Sequence, residues 1–373
     1  MCCRNRHNAP SCANLGAMKT IHNFSAGPAA LPWPVRERLA DEFSLDDAHT
    51  PSIAEVSHRG PRFAGVAERL EAGIRKLAGI GDEHHVLLLQ GGAHLQFAML
   101  PMNFARGRTA AFMLTGHWGE KAFAESARIT DSRVVASSAD EHYRDIPELG
   151  HLPADAAYLH YTGNETIHGV QFEQPPVAAV PLAADMSSEF LSRPYSYSDL
   201  AFSYAGAQKN LGVAGLTIVL IRRDLVERIP DNLPQFLDYR TWIDSGSMKN
   251  TPSTFAWYVA AEVIDWIESS GGLEQLGERN RAKADRLYSV IDTSDFYSNP
   301  VAPEARSMMN VPFILAEDDL TMPFVEQAEA EGMPGLKGHR AVGGLRASLY
   351  NALGMAAVDD LVEFMREFER KHG

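Results

Sequence analysis

Cysteine is nearly absent from this chain of 373 residues, which contains only Cys2, Cys3 and Cys12. Because all three lie within the first dozen residues, no disulfide framework can hold the fold together. Their spacing matches no standard zinc pattern, so we expect no metal site. Residues 1–17 lack the apolar run of a signal peptide, and we interpret them as a disordered extension or an upstream start ahead of Met18.

Long apolar runs and an excess of positive charge are also missing. The longest apolar runs, such as Leu216 to Ile221, are strand-sized, whereas a bilayer span needs roughly 18 apolar residues. The net charge of −14 at pH 7 repels nucleic acid phosphates and gives no attraction to anionic lipids. We therefore predict a cytoplasmic protein that binds neither nucleic acid nor membrane.

The composition is that of a folded protein, with 45% hydrophobic and 22% charged residues. Apolar, strand-sized runs alternate with helical stretches, which predicts an α/β fold with a mostly parallel sheet covered by helices. We place the first helix near Pro34 and the strands at residues 86–90, 110–114, 156–160, 177–184, 201–204 and 216–221.

A chain of this length usually exceeds one core, so we predict a large and a small domain. A helix over residues 255–269 and a Gly271-Gly272 stop suggest a boundary near residue 270. The large domain is then 34–270, and the small α+β domain combines 18–33 with 271–373. In the latter we predict helices over 273–291, 322–331 and 355–371 and a strand over 309–315.

Lys209 lies among small residues in the segment YAGAQKNLGVAGLTIV, residues 204–219. An amine that loses water there can lower its pKa and condense with an aldehyde, although a lone lysine is more often a surface residue. Asp185 precedes it by 24 residues (209 − 185) and follows a predicted strand, at the sheet edge where ligands bind. Such a carboxylate can cap a helix, but it can also keep the ring nitrogen of pyridoxal 5′-phosphate (PLP) protonated.

A predicted strand, a glycine turn and a helix start follow one another in VLLLQGGAHLQF, residues 86–97. The backbone N–H groups around Ala93 suit a phosphate, although glycine turns of this kind also occur for conformational reasons alone. The spaced glycines of a dinucleotide fingerprint are missing, which argues against an NAD-dependent dehydrogenase.

Two His-Arg pairs stand far apart in the chain, His58-Arg59 and His339-Arg340, and Arg346 follows the second pair. Arginine binds carboxylates and phosphates at two points, and a dianion needs more than one such cation. Each pair alone is most simply a surface feature. If the segments converge, they predict a substrate with a carboxylate and a second, strongly anionic group.

Over residues 21–373 the sequence resembles the phosphoserine aminotransferase family, class V aminotransferases of PLP fold type I. The matching stretches are, in order, NFSAGPAALP, EVSHRG, GNETIHG, AADMSSEFLSRP, YAGAQKNLGVAGLTIV, GSMKNTPSTFAWY, MNVPF, LKGHRAVGGLRASLYNA and EFERKHG. This resemblance implies a large domain with a mostly parallel seven-stranded sheet and a smaller C-terminal α+β domain.

The resemblance also implies a role for each matching residue. Lys209 carries PLP, Asp185 pairs with the ring nitrogen, Trp118 stacks on the ring, and Thr166 contacts the ring hydroxyl. The cofactor phosphate is contacted by Gln208, Ala93 and His94, and by Asn250 and Thr251 from the other subunit of a homodimer. Arg346 anchors the substrate carboxylate, while His58, Arg59, His339 and Arg340 form the pocket for its phosphate. His94 and Ala26 depart from residues that some members carry.

The implied reaction is reversible transfer of an amino group between glutamate and 3-phosphohydroxypyruvate, giving 2-oxoglutarate and O-phospho-L-serine in L-serine biosynthesis. In some bacteria 4-phosphohydroxythreonine is the analogous substrate in pyridoxine biosynthesis. A cysteine desulfurase is disfavoured because no cysteine follows Cys12. A serine–glyoxylate type aminotransferase would not need the His-Arg pairs, and a non-catalytic homologue would not need Lys209 and Asp185.

Overall fold

The computed structural model describes residues 20–44 and 51–373, so the predicted extension at 1–17 lies outside the described residues. The α-helices of these ranges are α1 (Trp33–Phe43), α2 (Pro61–Ala78), α3 (Gly92–Phe104), α4 (His117–Ser126), α5 (Arg223–Val226), α6 (Tyr239–Asp244), α7 (Thr254–Ser269), α8 (Gly272–Asp292), α9 (Thr321–Ala330) and α10 (Met355–His372). The strands are β1 (His84–Leu89), β2 (Thr109–Leu114), β3 (Ser132–Ser137), β4 (Ala156–Thr162), β5 (Leu182–Asp185), β6 (Phe202–Gly206), β7 (Thr217–Arg222), β8 (Tyr297–Ser298), β9 (Asn310–Leu315) and β10 (Leu345–Ser348). No helix within these ranges is long and apolar enough to cross a membrane.

A seven-stranded sheet forms the centre of the molecule, with strand order β1-β7-β6-β5-β4-β2-β3. The strands from β6 to β3 along this order are parallel, and β7 runs antiparallel to both of its neighbours. The predicted mostly parallel, seven-stranded α/β fold is therefore confirmed. Because β4, β5 and β6 are parallel neighbours, their carboxyl ends meet at one edge of the sheet.

Two details of the strand prediction for the large sheet were wrong, and the short strands β8 and β10 of the second sheet were not predicted. The run at 177–184 forms a strand only from Leu182, since Val177 is 95% exposed and Pro181 has no N–H to donate to a ladder. The edge strand β3 was not predicted, because its partly exposed residues SRVVAS interrupt the apolar pattern with Arg133. The main strands and helices otherwise form near their predicted positions.

The buried apolar residues fall into separate clusters. One cluster joins one face of the large sheet to α2 and α7, and another joins the opposite face to α3 and α6. A further cluster combines α8, α9, α10 and the three-stranded sheet β10-β9-β8 with Phe24 from the segment before α1. Helix α8 contributes to two of them, because Leu273 and Leu276 pack in the first cluster and Leu287 in the last.

Polar side chains of α8 tie these regions together. Lys283, which is 2% exposed, donates from Nζ to three backbone carbonyls within 349–353, at 2.8, 3.0 and 2.9 Å. Asn280 donates from Nδ2 to the Ser192 carbonyl at 2.8 Å and to Asn351 Oδ1 at 2.9 Å. A buried ammonium needs such acceptors, so Lys283 fixes the segment that follows β10.

The packing of α2 on α7 depends on a glycine. A Cβ added at Gly73 would overlap the Cγ2 methyl of Ile264, whereas one added at Gly65 of the same helix meets no atom within 4 Å. We predict that Gly73→Ala lowers the free energy of unfolding by about 1–3 kcal/mol through overpacking. Gly65→Ala should raise it by about 0.5–1 kcal/mol, because alanine favours helix.

Thermal and urea unfolding of both variants, followed by circular dichroism, tests this pair. Equal effects of the two substitutions would show that helix propensity, and not the contact with Ile264, dominates at Gly73.

Candidate active site

A cavity of about 380 Å³ opens at the sheet edge where β4, β5 and β6 end. Asp185 is the last residue of β5, and Lys209 follows the end of β6 by three residues (209 − 206). Both side chains line this cavity. The carboxyl edge of a parallel sheet is the usual place for a site in an α/β fold, since the strand-to-helix loops converge there.

Most of the residues that the sequence singled out meet at this cavity. Those lining it are Lys209, Asp185, Gln208, Trp118, Thr166, Ala93, His94, His339 and Arg346, and Ala26 joins them. They come from segments far apart in the chain, so the fold brings together what sequence order separates.

The other predicted residues do not line the cavity within the described chain. His58 is half-buried and Arg59 exposed, between α1 and α2, while Asn250 and Thr251 are exposed, between α6 and α7. Arg340 is exposed beside His339. One chain therefore presents part of the predicted set on its surface.

At Lys209 and at Asp185, burial and the neighbouring charges shift the pKa in opposite directions. Burial lowers the pKa of the Lys209 amine, and the nearby carboxyls of Asp185 and Glu165 partly offset that shift. Burial also raises the pKa of Asp185, which Lys209 and the hydrogen bonds of Ser187 counteract, including a backbone N–H bond of 2.9 Å to Oδ1. A lysine with a lowered pKa is a better nucleophile at neutral pH, as the sequence predicted.

Trp118 forms one wall of the cavity. The Lys209 Nζ atom lies 6.0 Å from the centroid of its ring, and the indole Nε1–H donates to Thr166 Oγ1 at 2.8 Å. The ring of His94 meets it edge-on, with centroids 5.7 Å apart. The indole is thus held in one orientation from two sides, with the lysine beside it.

The start of α3 borders the same cavity through Gly92, Ala93 and His94. Gly91, just before the helix, has φ 98°, and a Cβ there would come within 2.5 Å of Leu95 Cδ2, so the turn needs glycine. The first N–H groups of a helix have no partner within it and can bind a phosphate.

Arg346 on β10 reaches the cavity from the second sheet. Its Nη1 donates to the Thr166 carbonyl at 3.0 Å, whereas its buried Nε has no hydrogen-bond partner among the described residues. Burial lowers the pKa of this guanidinium. A buried donor without a partner is costly, and a substrate carboxylate would satisfy it.

His339 stands next to Arg346 at the cavity, with its ring 5.6 Å from that of His117. Burial lowers the pKa of His339, and the charge of Arg346 lowers it further. An arriving anion would reverse this effect, because a nearby negative charge favours the protonated imidazole.

Sequence reasoning missed several polar residues of the site. Ser187, Ser188 and Asn164 line the cavity, and Asn164 Nδ2 donates to Ser188 Oγ at 2.7 Å and to Asn310 Oδ1 at 2.8 Å. Glu165 is completely buried behind Trp118. Glu165 belongs to GNETIHG, one of the stretches that match the family, and that match was a usable signal for it. A buried glutamate is rare, so its burial here calls for partners.

This arrangement fits PLP. It offers an amine for the aldehyde, a carboxylate for the ring nitrogen, an indole face for the ring and a helix start for the phosphate. These donors surround one cavity, and the orphaned Arg346 Nε leaves a place for a carboxylate beside them.

Comparison with known proteins agrees with this geometry. The family model described as aminotransferase class-V matches residues 21–361. Phosphoserine aminotransferase of Azotobacter vinelandii is 48% identical over 359 residues, which are 95% of this chain and 99% of the relative.

Two solved structures are also similar. Phosphoserine aminotransferase from Bacillus circulans subsp. alkalophilus has a TM-score of 0.91 at 46% identity, covering 95% of this chain and 99% of that one. The PLP-bound phosphoserine aminotransferase from Trichomonas vaginalis has a TM-score of 0.88 at 38% identity, covering 93% and 99%.

The fold is that of a class V aminotransferase. Within that class, the chain belongs to the phosphoserine aminotransferase family, as the resemblance in its sequence indicated.

We predict that Lys209→Ala abolishes turnover and the visible absorbance band of the lysine-bound cofactor without unfolding the protein, because it removes only a cavity-lining amine. Lys76→Ala, at a lysine on the surface of α2 with a 70% exposed side chain, is the control. Absorbance, activity and circular dichroism of both variants measure this. Near-normal activity of Lys209→Ala would refute the assignment.

Proposed function

We propose that this protein catalyses reversible amino transfer between L-glutamate and 3-phosphohydroxypyruvate, with PLP as cofactor, giving 2-oxoglutarate and O-phospho-L-serine for L-serine biosynthesis in the cytoplasm. The main support is the meeting of Lys209 and Asp185 with Arg346 and His339 at one cavity. The relatives named phosphoserine aminotransferase support the choice of substrate.

The chain's residues would share the chemistry as follows. Bound PLP supplies an electron sink for the carbanion formed at the substrate Cα. The Lys209 amine, whose pKa burial lowers, can take up and return the Cα proton at neutral pH. Asp185 would hold a proton at the ring nitrogen of PLP, and Trp118 would cover one face of that ring and exclude water.

Substrate recognition would fall to the cations at the cavity. Arg346 anchors the carboxylate shared by glutamate and phosphoserine through its unsatisfied Nε. His339 lines the cavity, and the exposed Arg340 beside it would bind the phosphate that only one of the two substrates carries. L-Serine, which carries no phosphate, would leave these groups without a partner.

We further propose a homodimer that shares its active sites. His58, Arg59, Asn250 and Thr251 match family positions for phosphate contacts, but they do not line the cavity of the described chain. The carbonyl of Thr251 accepts from Gln90 Nε2 at 3.0 Å, which holds that segment beside the turn before α3. A second copy could bring these residues to the cavity.

The first test is the visible absorbance of the purified protein with L-phosphoserine and, as a control, L-serine. A band that shifts with phosphoserine and barely moves with serine supports the proposal. A response to serine alone, or to neither, would keep the class but remove the substrate, and the absence of a band after adding PLP would remove the cofactor.

We predict that Arg340→Ala raises the KM for phosphoserine by roughly 10- to 100-fold, the loss of about 1.5–3 kcal/mol for a hydrogen bond to a charged group. The KM for glutamate should change little, since glutamate has no phosphate. Steady-state kinetics for both substrates measure this difference. An equal loss for both would contradict the assignment of Arg340 to the phosphate.

A mixing experiment tests the shared sites. Lys209→Ala and a double variant, Asn250→Ala with Thr251→Ala, are each expected to have little activity alone. Co-refolded in equal amounts, they should regain about a quarter of wild-type activity, because half of the dimers are mixed and each mixed dimer has one intact site. No recovery from two folded partners would mean that each chain builds its own site.

A further inference from the structure

Glu165 is a buried acid whose backbone is fixed in a tight hairpin. Its N–H donates to the Val170 carbonyl at 2.8 Å, and its carbonyl accepts from the Gly169 N–H at 2.8 Å. The side chain points into the protein, where 0% of the residue is exposed. The local backbone therefore fixes where this carboxyl lies.

The carboxyl of Glu165 accepts hydrogen bonds from the first turn of α4. Oε2 accepts from the Trp118 N–H at 3.1 Å, and Oε1 accepts from the Gly119 N–H at 2.8 Å. These N–H groups have no partner within the helix, and the positive end of the helix dipole favours a negative charge there. The acid thus caps α4 through space, from a distant part of the chain.

The sequence around Trp118 leaves room for this carboxyl. A Cβ added at Gly116 would lie 2.5 Å from Glu165 Cδ, and one added at Gly119 would lie 3.5 Å from Oε1. Gly116 and Gly119 of TGHWGE therefore leave the space that the Glu165 side chain fills.

Two successive residues hold Trp118 by different groups. Glu165 binds its backbone N–H, and the Thr166 hydroxyl accepts from its indole Nε1 at 2.8 Å. The hairpin thus sets both the position of the Trp118 backbone and the rotation of its ring.

Glu165 also belongs to a buried group of charges. Burial raises its pKa to about 7, the two backbone hydrogen bonds oppose that shift, Asp185 adds to it and Lys209 reduces it. Glu165 in turn raises the pKa of the Lys209 amine. The other titratable groups that interact with these three are His94, Arg346, Tyr143, Glu189 and Tyr204.

We propose that Glu165 is a positioning residue that holds Trp118 against the cofactor ring and places a second buried negative charge toward Lys209. The inference rests on the proposed function in one respect, namely that Trp118 stacks on bound PLP. It assigns a role to a residue that contacts neither cofactor nor substrate and acts through its neighbours.

Substitutions at Glu165 separate its two contributions. Glu165→Gln removes the charge and keeps one acceptor oxygen, Glu165→Asp keeps the charge on a shorter side chain, and Glu165→Ala removes both acceptors. Gly116→Ala tests the same contact from the other side, because its methyl group would occupy the place of the carboxyl. Glu120→Gln is the matched control, at an acid of the same helical turn whose side chain is 50% exposed.

Two measurements follow, neither of which depends on turnover. One is the dissociation constant of PLP for each apoprotein, from quenching of tryptophan fluorescence. The other is the pH midpoint of the visible absorbance band of the holoprotein between about pH 5.5 and 9.5, a range that lies below the ordinary lysine pKa of about 10.4.

We expect Glu165→Ala and Gly116→Ala to raise the dissociation constant roughly tenfold, the equivalent of about 1.4 kcal/mol. Glu165→Gln should lower the pH midpoint, because removing a negative charge disfavours the protonated nitrogen of Lys209. Glu165→Asp should keep a midpoint near that of the wild type, and Glu120→Gln should change neither quantity.

Wild-type values for both quantities in folded Glu165→Gln and Gly116→Ala would overturn the inference. A midpoint that falls equally in Glu120→Gln would also overturn it, since the effect would then be general. A wrong proposed function would give a different result. In that case the wild-type protein itself would bind no PLP or would not distinguish phosphoserine from serine.

Discussion

The burial of the Lys209 amine beside the Asp185 carboxyl is the constraint on which the site depends. Both groups lose water at the carboxyl edge of the sheet, and each partly offsets the shift that burial causes in the other. A charge in this position is tolerated only when its partners are rigidly placed. Small residues pack around Lys209, the Ser187 N–H donates to Asp185 Oδ1, and the remaining groups of the site are arranged around this pair.

Arg346 must stand at a fixed distance from Lys209, although it belongs to the second sheet. The connection between them is polar and buried. The backbone N–H of Asn351, five residues after Arg346 (351 − 346), donates to Asn210 Oδ1 at 3.1 Å, and Asn280 of α8 donates to the Asn351 side chain. Lys283 fixes the carbonyls on either side. Arg346 and Lys209 are thereby held in one frame, and under the proposed function a substrate bound by the first would be oriented toward the second.

The hairpin that carries Glu165 and Thr166 links the two parts of the site in another way. Thr166 accepts from the indole of Trp118 with its hydroxyl and from Arg346 with its carbonyl. The wall of the cofactor cavity and the anchor for the substrate therefore share one support. Distortion of this hairpin would disturb both, which explains why so many buried polar groups secure it.

Much of this protein could be predicted from its sequence. The alternation of apolar runs indicated the parallel sheet, and Lys209 and Asp185 were found from their small or apolar surroundings and from the strand ends near them. Those signals are local, since they depend on spacing along the chain. The edge strand β3 and the true start of β5 had no such local signal, because solvent exposure and pairing with neighbouring strands decided them.

The sequence by itself determined the class of fold, the candidate lysine and acid, and the family. Only the tertiary structure decided that Arg346 and His339 reach the Lys209 cavity while His58, Arg59, Asn250 and Thr251 do not. It alone also placed Glu165 under the first turn of α4, 46 residues from Gly119 along the chain. The physical reason is that convergence depends on how distant elements pack, and a pattern within one segment does not carry that information.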